Sequence, residues 1–145
     1  MLKFIAIDPG KYKSGLVLAE LNDKKVYEAI ILKSELLEDY VRNLNNNEDI
    51  SKIIIGNGTT SFEIKEKLGF IKKEIITFEE KNTTYRAKER YFELFPIKGL
   101  QYLIPREFFI LNKNLDAISA LIILEDYCKM KFTLHQYIDV KTWLK

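Results

Sequence analysis

The sequence has 145 residues, enough for one domain with a core built around a sheet. Its formal net charge of +2 does not by itself indicate a nucleic-acid-binding protein. Its single cysteine, Cys128, excludes an internal disulfide and lies in an apolar stretch, which favours a buried, reduced thiol. No apolar run approaches the roughly 20 residues of a membrane span, and the first one stops at Asp8, so we expect no signal peptide and one cytoplasmic domain over residues 1–145.

The first third of the sequence predicts three strands and a helix. Residues 3–8 and 15–20 are apolar runs joined by a Pro-Gly turn, which predicts an antiparallel pair. Residues 25–32 continue this meander as a third strand. From Ser34 onward, apolar residues recur with a period of 3.6 residues, so we expect a helix that Ser34 caps.

The middle of the sequence alternates strands with helices. Residues 52–55 predict a short strand that is apolar after its first residue. Thr60 with Glu63 predicts a capping box at the start of a short helix. Residues 74–78 are the next strand, and the helix predicted over residues 84–95 ends where a proline follows.

The remainder of the chain adds one long helix to this pattern. Residues 96–112 are expected to be irregular, and residues 115–130 predict a helix that is apolar nearly all round and packs on more than one side. Three meandering strands followed by alternating strands and helices predict an α/β fold. Its sheet is mixed, with three antiparallel strands and then two parallel ones, and helices cover both faces.

Acidic residues stand where they can meet at one edge of this sheet. Asp8 ends the first strand, and Glu79 and Glu80 follow a later parallel strand, whose carboxyl end is where ligands bind in such sheets. Adjacent side chains on an extended segment point to opposite faces, so only one of that pair can join Asp8. Asp116 begins the last helix, and small residues one turn further on would let this helix lie close to the sheet.

Each of these acids also has an ordinary explanation. Asp8 fits a common turn, Glu79 and Glu80 fit a solvated turn before a helix, and Asp116 fits the favourable placement of an acid in a first helical turn. Against the first of these, Asp8 continues a very apolar strand, where an unpaired carboxylate is costly unless a cation lies nearby.

The types of residue present limit the chemistry. An all-oxygen set of ligands suits Mg²⁺ or Mn²⁺ rather than zinc. His135 is the only histidine and Cys128 the only cysteine, which argues against zinc sites and cysteine-protease chemistry. No Gly-x-Ser-x-Gly elbow is present, which argues against a serine triad.

Four short motifs occur in an order that resembles a known family. They are Ile5-Ala6-Ile7-Asp8-Pro9-Gly10 with Gly15, Ile55-Gly56-Asn57-Gly58-Thr59, Glu79-Glu80 with Thr83-Thr84, and Asp116-Ala117 with Ala120. Over residues 3 to 130 they resemble the RuvC/YqgF branch of the ribonuclease-H-like superfamily. The resemblance implies a five-stranded mixed sheet flanked by helices and Mg²⁺-dependent (or Mn²⁺-dependent) cleavage of phosphodiesters. It also implies that Asp8, Glu80 and Asp116 are the catalytic acids and the metal ligands.

Within this branch the likeness is greatest to the small YqgF-type proteins, which are linked to pre-ribosomal RNA maturation and proposed as Holliday junction resolvases. Glu80 is preferred over Glu79 because in similar proteins the last acid before the Thr-Thr helix is the ligand. Gly56-Asn57-Gly58-Thr59 looks more like the domain of Tex-type transcription accessory proteins, where some such domains are thought to bind nucleic acid without cutting it. Ser119 replaces the second acid that RuvC-type resolvases carry on the last helix.

Basic residues near the acids form a candidate nucleic-acid surface. Arg86 and Arg90 lie one helical turn apart directly after Glu80, which would let them hold phosphates. The alternative is an ordinary solvated helix face that also carries acidic residues. The full candidate set is Lys11, Lys13, Lys81, Arg86 and Arg90.

Three functions are therefore compared. The first is a divalent-metal-dependent nuclease acting on structured nucleic acid, either RNA or branched DNA. The second is a non-catalytic nucleic-acid-binding module that retains the fold. The third is an actin-like ATPase, since similar hairpins hold phosphates there, but the chain is about half as long as such a two-domain cleft requires.

Overall fold

The computed structural model describes residues 1–110 and 115–138. Its strands are β1 (Lys3–Asp8), β2 (Lys13–Glu20), β3 (Lys25–Lys33), β4 (Ile50–Gly56), β5 (Glu74–Phe78) and β6 (Thr133–Leu134). Its helices are α1 (Leu37–Asn47), α2 (Ser61–Lys67), α3 (Thr83–Leu94), α4 (Glu107–Ile110) and α5 (Asp116–Cys128), with 3₁₀ turns at Ser34–Leu36 and Gly99–Leu103. Within these ranges no helix combines the length and the apolar character that a bilayer crossing requires.

The strands of the described residues form one mixed sheet in the order β5-β4-β1-β2-β3-β6. β1, β2 and β3 pair antiparallel, whereas β4 pairs in parallel with both β1 and β5. The predicted arrangement of three antiparallel strands followed by two parallel ones is confirmed for β1 to β5. Because β1, β4 and β5 run the same way, their last residues lie along one edge, which we call the carboxyl edge.

Helices cover both faces of the sheet, as predicted. Alternate residues of β1 point to opposite sides, so Ile5 and Ile7 pack with α1 and α2, whereas Phe4 and Ala6 pack with α3 and α5. The sheet therefore has one apolar core on each face. Each fully buried aliphatic side chain contributes about 1.5–3 kcal/mol to the free energy of unfolding, so both cores stabilise the sheet. In α5, every residue from Ala117 to Glu125 is buried, in agreement with a helix that packs on more than one side.

Two features of the fold differ from the sequence prediction. The predicted five-stranded sheet has a sixth strand, because β6 pairs in parallel with β3. A strand of two residues has no alternating pattern that a sequence could reveal. The segment expected to be irregular contains the second 3₁₀ turn and α4, while residues 111–112 lie outside the described residues.

Neither predicted side-chain cap is made. Ser34 is the first residue of a 3₁₀ turn, and its hydroxyl donates to the carbonyl oxygen of Gly10 (2.7 Å), so it fastens the turn after β1 instead. Thr60 precedes α2, but its buried hydroxyl makes no hydrogen bond with the described residues. Ser61 donates to the Gly58 carbonyl oxygen (2.8 Å) and so holds the turn between β4 and α2.

Candidate functional site

Asp8 lies at the carboxyl edge, where β1 ends beside β2 in register with Gly15. Burial, and then the negative charges of Glu80 and Asp116, raise the pKa of Asp8 from 3.8 to about 7. This carboxyl group therefore stays protonated up to near-neutral pH in the absence of a cation. A positive charge at the site would stabilise the ionised form.

Glu80 reaches the same edge from the segment that follows β5. A Cβ atom added to Gly56 would stand 3.0 Å from Glu80 Oε2, so the absence of a side chain at the end of β4 makes room for this carboxylate. Burial raises the pKa of Glu80, and a hydrogen bond with Thr83 acts in the opposite direction. Glu79 is exposed, so only one member of the acidic pair faces the site.

Asp116 is brought to the site by a close backbone contact. A Cβ atom on Gly15 would stand 2.0 Å from the Asp116 carbonyl oxygen, so α5 can begin directly against β2 only where the strand has a glycine. Since Gly15 pairs with Asp8, this contact places Asp116 on the face to which Asp8 points. The expectation that Ser119 and Ala120 would allow the approach overlooked Gly15.

Two observations fit a divalent cation at this edge. Glu80 Oε2 is buried and accepts no hydrogen bond from the described residues, which is costly for a carboxylate oxygen. The raised pKa of Asp8 reflects a second cost, that of burying this carboxylate and, to a lesser extent, of holding it near Glu80 and Asp116. A cation shared by Asp8 and Glu80 would relieve both.

Few candidate ligand side chains among the described residues lie close together at this edge, so the protein would supply only part of the coordination shell of such a cation. In the parts of the chain that the structure describes, no three or more Asp, Glu, His or Cys side chains form a group that could hold a metal ion. Charge acts over longer distances than coordination, which is why Asp116 still raises the pKa of Asp8. Mg²⁺ commonly uses one or two carboxylates and keeps several waters, so Asp8 and Glu80 fit it.

An open groove of about 540 Å³ lies at the Glu80 carboxylate and is lined by Asn57, Glu80, Asn82, Thr83, Thr84, Tyr85 and Lys88. We call it the carboxylate groove. Lys88, an exposed cation on α3, also lines this groove with Glu80 and was not among the predicted basic residues. Lys88 follows Tyr85 by three residues, and this spacing in the sequence could have shown that the two side chains share one face of the helix.

The predicted phosphate-binding role of Arg90 is wrong, because its side chain is buried. Its Nε and Nη2 atoms donate to the two oxygens of Glu125 (3.0 and 2.9 Å), and Nη2 also donates to the Phe132 carbonyl oxygen (2.6 Å). Arg90 therefore joins α3 to α5 and to the segment before β6. A guanidinium held in this way cannot reach a phosphate at the surface.

Arg86 also faces α5 rather than the carboxylate groove. Its guanidinium donates to both oxygens of Asp126 (2.6 and 2.7 Å), and this pairing raises the pKa of Arg86. It lines a separate groove with Lys129 and Lys131 that does not include Glu80. The expectation that Arg86 holds phosphates beside the acids is therefore not met.

The predicted lysines lie at the surface. Lys11, Lys13 and Lys81 are exposed, and none of them forms an ion pair with another described residue. Lys11 and Lys13 are in or next to the turn between β1 and β2, and Lys81 directly follows Glu80. All three stay candidates for contact with nucleic acid.

Comparison with known proteins identifies the fold. No protein-family model matches the sequence, and no curated protein does either. Among solved structures, RuvC from T. thermophilus in complex with a Holliday junction substrate superposes with a TM-score of 0.51 at 12% identity, covering 89% of this chain and 96% of RuvC. The chain has a ribonuclease-H-like fold.

A Ppx/GppA family protein from Aquifex aeolicus superposes less well. Its TM-score is 0.39 at 12% identity, over 68% of this chain and 42% of that protein.

Proposed function

We propose that this protein is a divalent-metal-dependent nuclease of the YqgF type that acts on structured nucleic acid. The observation that carries the proposal is the meeting of Asp8 and Glu80 at the carboxyl edge. Their carboxylates fit a shared cation, and the charge of Asp116 reaches the same place. The RuvC structure, which has a similar fold, was solved with a Holliday junction substrate, and this supports branched DNA as one substrate class. Structured RNA, such as a pre-ribosomal RNA, is the other.

The residues of the site would divide the work. Asp8 and Glu80 would hold Mg²⁺ or Mn²⁺, with Asp116 adding negative charge to the site. The bound cation would supply an activated water and offset the charge that develops on the phosphoryl oxygens. Lys88 would hold a substrate phosphate in the carboxylate groove, and Lys11, Lys13 and Lys81 would extend the contact along the backbone.

A non-catalytic nucleic-acid-binding module is the second candidate. The observation that favours it is that Asp8, Glu80 and Asp116 do not form a group of three ligands in the described structure. Such a module would bind nucleic acid through the same lysines without cutting it.

A cleavage assay separates the two candidates. Labelled four-way DNA junctions, single strands and a pre-ribosomal RNA fragment are incubated with the protein and Mn²⁺. We expect wild-type protein to cut at least one of these substrates and Asp8→Asn and Glu80→Gln to cut none. Glu79→Gln is the matched control, because Glu79 is adjacent but exposed, and it should cut like wild type.

Two results would contradict the nuclease proposal. Cleavage that is equal in wild type and Asp8→Asn would come from elsewhere in the protein or from a contaminant. Binding of these substrates without any cleavage by wild type would favour the non-catalytic module.

A further inference from the structure

A second groove lies beside the carboxylate groove at the outer end of the sheet. It has a volume of about 500 Å³ and is lined by Asn57, Ser61, Phe62, Lys65, Glu66 and Thr77, so it runs between α2 and the edge strand β5. We call it the α2 groove. Asn57 lines both grooves, and a ligand that lies in one of them can therefore continue into the other.

An exposed aromatic ring forms one wall of the α2 groove. Phe62 is 72% exposed because α2 turns Ser61 and Ile64 towards the core and leaves the next position facing outward. Within the described part of the chain, Phe62 stacks on no other aromatic ring. Its face is available to a flat partner, whose stacking would remove apolar surface from water.

A cation accompanies this ring. Lys65 follows Phe62 by three residues, so the two share one face of α2, and Lys65 forms no ion pair with any residue in the described ranges. The carboxylate groove has the same pair, since Lys88 follows Tyr85, which is 67% exposed, by three residues on α3. An aromatic face beside a backbone-binding cation is how proteins bind unpaired nucleotides.

We propose that the α2 groove binds an unpaired nucleotide of the substrate, with its base stacked on Phe62 and a phosphate near Lys65. This inference rests on the proposed function, and it adds a substrate class to that function. A strand that passes from Phe62 over Asn57 enters the carboxylate groove, which Glu80 lines. Paired bases have no free face for Phe62, so the site selects single strands, loops or branch points over continuous duplex.

Binding measurements without divalent ions, so that nothing is cut, test this inference. The probes are a deoxythymidine oligomer, a uridine oligomer and a fully paired duplex of the same length. Comparing the deoxythymidine oligomer with the uridine oligomer shows whether the protein binds DNA or RNA. Phe62→Ala should weaken binding of single strands by roughly 5- to 100-fold, the range found for the loss of one base–aromatic stack. Binding of the duplex should change by less than about twofold, because Phe62 has no base to stack on there.

Two further variants make the result specific. Phe62→Trp keeps a stacking surface, so it should retain single-strand affinity, and its added fluorescence should be quenched by the oligomer. Phe108→Ala is the matched control, since Phe108 is 68% exposed and lines neither groove, and it should bind like wild type. Both positions are solvent-facing, and urea unfolding of each of the three variants shows whether it is folded.

Each outcome decides the inference. Single-strand binding that is unchanged in Phe62→Ala, or a loss that is equal for duplex and single strands, would overturn the stacking proposal. In either case the nuclease proposal would stand, because it is tested separately by Asp8→Asn. Failure of the wild-type protein to bind either single-strand probe would also overturn the stacking proposal, whereas the nuclease proposal is decided by the cleavage assay with junctions and structured RNA.

Discussion

Replacing Arg90 with Ala is expected to lower the free energy of unfolding by about 3–5 kcal/mol, the cost of removing one partner from a buried ion pair. The side chains of Arg90 and Glu125 are only 9% and 4% exposed. Without Arg90, the Glu125 carboxylate would keep the backbone N–H of Phe132 as a donor (2.9 Å), but it would lose the guanidinium that pairs with both of its oxygens. Urea unfolding measures the loss directly.

Arg86→Ala is the matched control, because Arg86 makes a similar two-bond contact from α3 to α5. The side chains of Arg86 and Asp126 are 39% and 29% exposed, so solvent screens the pair and its loss should cost no more than about 1 kcal/mol. The double variant Arg90→Leu, Glu125→Leu should recover part of the stability lost in Arg90→Ala, since it leaves no buried charge, although it also removes both side-chain partners of the Phe132 backbone. Equal losses in Arg86→Ala and Arg90→Ala would show that the burial of Arg90 has no energetic consequence.

Asp8→Asn is expected to stabilise the metal-free protein, and increasingly so as the pH rises. The pKa of Asp8 is about 7 in the folded protein and 3.8 for an ordinary aspartate, as in the unfolded chain, so between these values the folded protein binds a proton that the unfolded chain has lost. Wild-type stability therefore falls as the pH rises through this window. One pKa unit corresponds to about 1.36 kcal/mol. The free energy of unfolding of Asp8→Asn should therefore exceed that of wild type by at most about 4 kcal/mol above pH 7, and by almost nothing near pH 4.

The difference in unfolding free energy between Asp8→Asn and wild type, measured from pH 4 to pH 8, tests this expectation. Glu79→Gln replaces an exposed neighbour and should stay within about 0.5 kcal/mol of wild type throughout. Added Mg²⁺ should stabilise wild type by about 2.7 kcal/mol at a hundred times its Kd, and Asp8→Asn by less. A stability difference that does not vary with pH would mean that Asp8 titrates normally.

The central sheet was predictable because its signals are local. The apolar runs, the Pro-Gly turn and the change from a meander to alternating strands and helices give the order and direction of β1 to β5. That order alone brings Asp8 and the end of β5 to one edge. β6 was not predictable, because its two residues form a strand only through pairing with β3, more than a hundred residues earlier in the chain.

The site was only partly predictable because its details depend on contacts between distant residues. The spacing of Arg86 and Arg90 correctly places both on one face of α3, but it cannot say what that face meets. Glu125, which pairs with Arg90, lies 35 residues later in an otherwise apolar helix. The position of Glu80 likewise depends on the space above Gly56, which belongs to another strand.

Binding of Mn²⁺, followed by the loss of the electron paramagnetic resonance signal of the free ion, tests most directly whether Asp8 and Glu80 share a cation. Four proteins are compared: wild type, Asp8→Asn, Glu80→Gln and the exposed-neighbour control Glu79→Gln. We expect wild type and Glu79→Gln to bind with the same affinity. Asp8→Asn and Glu80→Gln should each bind at least about tenfold more weakly, since even outer-shell changes at metal sites cost this much. Equal affinities in all four proteins, or no binding by wild type, would contradict a metal site at the carboxyl edge.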